Sequence, residues 1–473
     1  MSISSAFQIA GSGLRSTEER ASLVAGNIAN AQTQGYARRE SVQTSGGTAG
    51  QGSVVESRIV RQIDERLAAM TRRAGADVGG ASVAGEILGG YLLTLGKPEE
   101  EVSPAARMAD FQSALDLLAN NPSDTNVQRD LLARADGLVR TLNNASVNLD
   151  RSFAQAGTEF ERSVGSANDH LNNIAELNQQ LRRESSFSHQ FGDLMDQMTR
   201  ELDALGPLIA FQTRWEPDGT LTLHSAGGTE LVIGDDAVRL ILDKETGALS
   251  ARDVDITPNS TGGRGFSEGR LAGLSEMITT VIPQMKLQLD EMARGLIDSF
   301  QSADASLAPG QAGLFTDGGN AFDASTLDGL AGRLAINDAV RSDKGGALWR
   351  LRDGMGASVP GDVGSTVQID AFISALDSPQ SFSPETGLGG NQRLDEFAAL
   401  MVGYQHNVRV SADARSETAG IKLASFENAR GSVEGVNVDT ELQKLLEIEQ
   451  AYGANAQVLT SLTTMIDTLL DAV

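Results

Sequence analysis

The sequence predicts a mainly α protein with a small β insertion, in which the N- and C-terminal helices pair as a coiled coil beside a long helical rod domain. Three observations carry this. Each end of the chain holds an apolar heptad, the stretch from Asp124 to Arg183 contains no proline, and a central block switches from helical to strand periodicity.

At the N-terminus Ile3, Phe7, Ala10, Leu14, Thr17, Ala21, Val24 and Ile28 alternate spacings of four and three, the seam of a coiled-coil helix. At the other end Leu442, Leu445, Glu449, Tyr452, Ala456, Leu459, Thr463, Ile466 and Leu470 do the same. Asn437 or Asp439 can cap that helix, and Glu441 suits the positive end of its dipole. A stripe this long needs a partner, and the first helix supplies one. Pairing within one subunit satisfies the pattern, but the small, aromatic-poor seams bury too little for an isolated pair. Neighbouring copies would supply the rest.

Between the ends, the residues from Ser41 to about Ser53 read as an irregular polar segment, and Val54 to Met70 regains apolar periodicity. After Asn121 and Pro122 the proline-free run keeps one stripe through Leu131, Ala135, Leu138, Leu142, Ala145 and Leu149. It then slips to Phe153, Ala156, Phe160, Val164, Ala167, Leu171 and Ile174, as one rod of roughly 90 Å would. From Leu208 the period is two, with turns at Pro217 to Gly219, Gly227 to Gly228 and Glu245 to Gly247, giving short hairpin strands. Helical spacing resumes from Leu271 to Leu296 with a kink expected at Pro283, and the last long helix before the terminal one starts at Leu394 and ends near Gly431. The expected domains are residues 1–35 with 436–473 (terminal coiled coil), 36–205 with 267–303 and 391–435 (rod), 206–266 (β) and 304–390 (mixed).

The composition narrows function. The net charge of −25 on 473 residues opposes nucleic-acid and anionic-membrane partners, and aromatics at 4% offer no base-stacking platform. Cysteine is absent, so disulfides and thiolate metal sites are excluded. No stretch reads as a membrane span or a Sec-type signal. The histidines, His170, His189, His224 and His406, lack metal-ligand spacing, and no cofactor site is expected. One catalytic pattern is present: Gly265-Phe266-Ser267-Glu268-Gly269 fits a nucleophile elbow, with His406 downstream as a triad base. That motif requires a buried strand before the serine, whereas the preceding residues read as a polar loop. A serine hydrolase centred on Ser267 is therefore the weaker alternative to a structural, non-enzymatic protein.

The ends carry a resemblance. Asn27-Ile28-Ala29-Asn30 followed by Thr33 and Gly35-Tyr36 is similar to the N-terminal signature of bacterial flagellar rod, hook and hook-associated axial proteins, with Gln34 where that signature usually has proline. Gly435-Val436-Asn437 with Asp439, then Gln450-Ala451-Tyr452, resembles the C-terminal signature of the same family. The long helical middle is similar to its hook-filament junction members more than to hook-type ones. Asn121 to Asp124 and Gly269 to Leu274 share that likeness, while residues 304–390 show little.

The resemblance implies a structural subunit of the extracellular flagellum, exported by the flagellar type III route without a cleaved signal peptide. It also implies helical self-assembly, the hook protein below, a second junction protein above, and an export chaperone on the C-terminal helix. The β domain would lie outermost. A second junction protein or a hook-type subunit is the alternative within the family.

Overall fold

The computed structural model describes residues 3–46, 54–184, 188–243, 246–258, 260 and 264–471. After the first helix, α1 (Ile3–Ala29), the chain forms an antiparallel hairpin of β1 (Arg39–Gly46) and β2 (Val54–Arg61). The expectation of an irregular segment from Ser41 to Ser53 is corrected here over its described residues. The polar first strand, RESVQTSG, lacks the apolar alternation by which a strand is recognised, and the hairpin is held by its ladder and by ion pairs at its base.

The rod begins with α2 (Glu65–Leu95), capped by Asp64, and α3 (Pro104–Asn120), capped by Ser103 with proline in the first turn. Next comes α4 (Thr125–Leu181), a single helix of 57 residues capped by Asp124. Its stripe slips after Leu149 as expected, but Ser152 takes the inner position and donates to the Ile87 carbonyl at 3.2 Å. Phe153 turns outward beneath the ammonium of Lys286. A further helix, α5 (His189–Leu205), folds back along the end of α4.

The β region contains two antiparallel sheets. One runs in order through β3 (Phe211–Trp215), β4 (Leu221–Ser225), β5 (Glu230–Ile233) and β6 (Asp236–Ala237). The other is β7 (Leu240–Leu242), β8 (Leu249–Ala251) and β9 (Val254–Asp255). These strands share the rod's core. Two asparagines of α4 clasp their backbone: Asn168 bonds both the N–H and the C=O of Leu240 (2.7 and 2.9 Å), and Asn178 both of Leu221 (2.8 and 2.8 Å).

The chain returns through α6 (Arg270–Glu276), one π-helical turn at Met277–Val281, and α7 (Ile282–Ala303). The interruption expected at Pro283 is this wide turn, which lies just before the proline that cannot donate a bond to it. Residues 304–390 are irregular, with β10 (Phe315–Asp317), α8 (Leu330–Arg333), β11 (Leu334–Ile336), α9 (Arg350–Asp353) and α10 (Val367–Asp377). They close over α7 through a cluster of Phe111, Phe300, Phe315 and Phe372, whose neighbouring ring centroids lie 4.8–5.6 Å apart.

Asp290 of α7 ties this segment down. Its buried carboxylate accepts from the N–H groups of Gly329 (2.9 Å) and Ala331 (2.8 Å). Burial raises its pKa to about 6, the two N–H groups opposing the rise. A carboxyl with a folded pKa above its unfolded one contributes stability that is full near pH 4 and lost as pH rises through about 6. Asp290→Asn should abolish that component. The stability of the variant relative to the parent should therefore improve by up to about 3 kcal/mol between pH 4 and 7.5 in urea titrations; a pH-independent difference would refute the shift.

The chain ends with α11 (Leu394–Glu434) and α12 (Val438–Asp471). α11 runs antiparallel to α2, Tyr91 bonding Gln405 and Lys422 pairing with Asp77. Contrary to the sequence expectation, α2 is long and apolar enough to cross a membrane. Its hydropathy comes from Val78, Val83, Ile87, Leu88, Leu92, Leu93 and Leu95, and the helix packs in the rod against α11, α6 and α4, its small residues letting α6 approach closely.

Candidate assembly site at the joined termini

α1 and α12 lie antiparallel along one another. Gly13 faces Asn455, and Asn27, further along α1, bonds Glu441, the same number of residues back along α12. The inward positions are Ala10, Thr17, Leu23, Val24 and Asn27 on α1, and Glu441 and Ile448 on α12. Of the residues expected at the interface, Ala10 and Val24 are buried, while Leu14, Ala21, Ile28, Leu445, Leu459 and Ile466 are half-buried along the pair. Phe7, Leu442, Tyr452 and Leu470 face outward, at 42, 45, 48 and 70% exposure. The side chain of Ile3 lies outside the described residues.

The inner seam therefore sits beside the predicted one. Sequence reasoning placed Leu442 and Glu449 inward, whereas the structure chooses Glu441 and Ile448, because the polar partner of the seam is Asn27. An Asn at an inward position opposite an acid was the available signal.

Asn27 is fully buried and its amide is saturated. Nδ2 donates to the Arg39 carbonyl (2.9 Å) and to Glu441 Oε2 (3.0 Å), and Oδ1 accepts from the Tyr36 hydroxyl (2.8 Å) and the Arg39 N–H (3.0 Å). Glu441 accepts a further bond from Lys444 at 2.8 Å. Burial pushes the Tyr36 phenol above its usual pKa against the opposing charge of Arg39, so at neutral pH it is a donor.

Gly35 adopts a positive φ of 76°, which turns the chain from α1 toward the hairpin. Asn30 ties back to the Gly26 carbonyl at 3.0 Å. Across the joint, Asn437 caps α12 through the N–H of Thr440 (3.1 Å), within the bend Gly435, Val436 and Asn437 that parts α11 from α12. Asp439 lies exposed in the first turn, and Arg38 N–H bonds the Glu434 carbonyl at 2.9 Å. Residues from the two ends of the sequence thus meet in one joint.

The joint is anchored to the rod by ion pairs. Arg39 reaches Asp193 (2.7 Å) and Asp196 (2.6 Å), Arg61 also holds Asp196 (2.7 Å), and Arg430 bridges Asp203 and Glu434. Asp196 is almost fully buried between its two arginines, where an ion pair fixes geometry more surely than it adds stability. Helix α5, which carries Asp193, Asp196 and Asp203, was not distinguished in the sequence.

Elsewhere, the nucleophile-elbow reading of Ser267 does not survive. Among the described residues no strand leads directly into it: residues 264–266 are without regular structure. Its neighbour Glu268 pairs with Arg73 and the next residue, Gly269, packs on Gly80, while His406 bonds the Gly96 carbonyl beyond the C-terminal end of α2, roughly 24 Å from Gly80 at 1.5 Å per residue. Among the described residues no cluster of His, Asp and Glu could hold a metal ion.

Known proteins match this chain throughout. A family model described as the flagellar hook-associated protein FlgK helical domain matches residues 95–313, and one described as the flagellar basal body rod FlgEFG protein C-terminal matches 430–472. Flagellar hook-associated protein 1 of Escherichia coli (strain K12) is 22% identical across 99% of this chain and 100% of its own length. The protein of the same name from Salmonella typhimurium is 23% identical with the same coverage, and that of Bacillus subtilis 23% across 96% and 94%. A solved structure of the flagellar hook junction protein FlgK from Burkholderia pseudomallei aligns with a TM-score of 0.44 and 20% identity, over 53% of this chain and 47% of that one.

Paired terminal helices, joined end motifs and these matches define the class: a structural protein of the bacterial flagellar axis. Within that class, the chain is similar over nearly its whole length to flagellar hook-associated protein 1.

Proposed function

We propose that this chain is exported by the flagellar type III system and forms the junction between hook and filament, assembling through its terminal helices. The carrying observation is the outward stripe of the α1 and α12 pair. Phe7, Ile9, Leu442, Leu446, Tyr452, Val458, Met465 and Leu470 all face solvent in the single subunit, more apolar surface than an isolated pair needs to show. The role is structural, without cofactor, catalysis, nucleic acid or membrane. Hook protein lies below, the second junction protein above, and an export chaperone covers α12 before assembly. The domain limits expected from the sequence describe its units: the terminal pair inside, the rod around it, the β region outermost.

The test removes residues 442–473. The truncated chain should remain a folded, soluble monomer, fail to bind the chaperone, and be absent from flagella sheared off cells that contain the full-length chain in theirs. Chaperone binding or incorporation by the truncated chain would overturn the assignment of α12.

A further inference from the structure

The α2, α6 and α11 helices frame a cleft of about 920 Å³. Its buried lining is small, with Ala76, Ala272, Ala412 and Ala419 among it, so its floor offers methyl groups that gain by being covered. Two of its charged pairs are closed: Glu268 with Arg73 (2.7 Å) and Lys422 with Asp77 (2.9 Å). Two charges are open. Arg415 on the α11 wall reaches only the Ser411 carbonyl of its own helix, at 3.4 Å, and Glu276 on the opposite wall is exposed and makes no ion pair among the described residues.

A loop at the far end of α7 has the complementary surface. It exposes Val359, Val363 and Val367 at 70, 64 and 78%, around the carboxylate of Asp362. The loop is fixed in place. Buried Arg352 pairs with Asp353 (2.6 Å) and donates to the Gly361 and Val363 carbonyls, and Asp353 accepts from the Gly361 N–H at 3.0 Å. Apolar side chains that a rigid loop holds in water mark a contact surface. The loop does not reach the cleft of its own chain. Its root is tied to Asp304, just past α7, through the Met355 N–H (2.7 Å), whereas the cleft lies against Gln284 near the start of that helix. The length of α7 parts them by roughly 30 Å.

We infer that the cleft receives the valine loop of a second copy of this chain, with Asp362 against Arg415. This rests on the assembly reading above and gives it a specific contact from rod to rod. Loop and cleft are different surfaces at different levels of the rod, so the contact is heterologous and can repeat from copy to copy. Glu276 sets its sense, because it repels Asp362 from its own wall and leaves the α11 side as the place for that acid.

Cysteine is absent from the natural chain, and Ser411 and Val363 are both exposed, so S411C and V363C leave the fold intact. Flagella sheared from cells that make both variants, once oxidised, should contain the disulfide-linked dimer. Its yield should be at least fivefold that from V363C with D169C, a control at an exposed site on α4. R415E in the S411C chain should lower the yield several-fold, and D362R in the V363C chain should restore it.

Both chains present in flagella with a yield no higher than the control, or one indifferent to R415E, overturn the contact and leave the junction reading standing. Absence of the chain from flagella refutes the junction reading instead. The purified full-length variants, mixed at high concentration and oxidised, then decide the contact: a link sensitive to R415E supports it, and no link above the control refutes it.

Discussion

Asn27→Ala will cost the chain about 3–5 kcal/mol, because four saturated hydrogen bonds end on one buried amide and their partners cannot all find water. The Tyr36 hydroxyl, both backbone groups of Arg39 and one oxygen of Glu441 lose their mate together. The loss should be read in two ways. Urea unfolding should begin at lower concentration, and hydrogen exchange should accelerate along α1 and the first turns of α12 before the rod is affected. Asn30→Ala, which removes only a local bond to Gly26, should cost under about 1 kcal/mol. Equal effects of the two substitutions would show that the joint does not depend on Asn27.

The second large effect lies on α2, where one substitution has opposite signs at two positions. A β-carbon on Gly79 would sit 2.1 Å from the Pro207 carbonyl oxygen and 3.1 Å from its carbon. That is backbone in the link between α5 and β3, and it cannot yield as a side-chain tip can. Gly79→Ala should therefore force α2 away from this link and lower stability by about 3 kcal/mol or more. Gly89 in the same helix has nothing within 4 Å of its added carbon, so Gly89→Ala should stabilise by about 0.5–1 kcal/mol through helix propensity. Thermal melts of the two variants provide the measurement, and a stabilised Gly79→Ala would refute the close approach.

These glycines show where the sequence was legible and where it was not. The start of α4 and the break between α11 and α12 were readable, because Pro122, Asp124 and Gly435 punctuate the stripes, whereas α11 runs through Gly431, where the sequence placed its end, to Glu434. The apolar face of α4 was readable as well, apart from the exchange of Phe153 for Ser152. The β1 and β2 hairpin and α5 were not, since both are held by the distant pairs of Arg39 and Arg61 with Asp196, and sequence spacing does not report such contacts. Gly79 and Gly80 serve a helix packed too closely for side chains, a contact that glycine in a sequence does not announce.

At the candidate site the motif residues were legible and their purpose was not. The inward register of α12 was misjudged by one residue at Glu441, because an inward acid violates the apolar pattern unless Asn27 is known to face it. The exposed stripe is the converse: Tyr452 and Leu442 fit a seam, and the fold leaves them outside.

The bond between Asn27 and Glu441 joins residues 414 apart in sequence. Closing a loop of that length in an unfolded chain carries an entropic penalty of about 5 kcal/mol, far more than one hydrogen bond returns. The joint therefore cannot nucleate folding. It forms only after the rod has brought the two ends within reach, which makes the terminal pair the last part to order and the first to fray. A subunit whose rod is misfolded would present two unpaired amphipathic strips in place of a finished seam. Completion of the fold and competence to join a neighbour are then coupled by chain connectivity itself, with no separate checkpoint required.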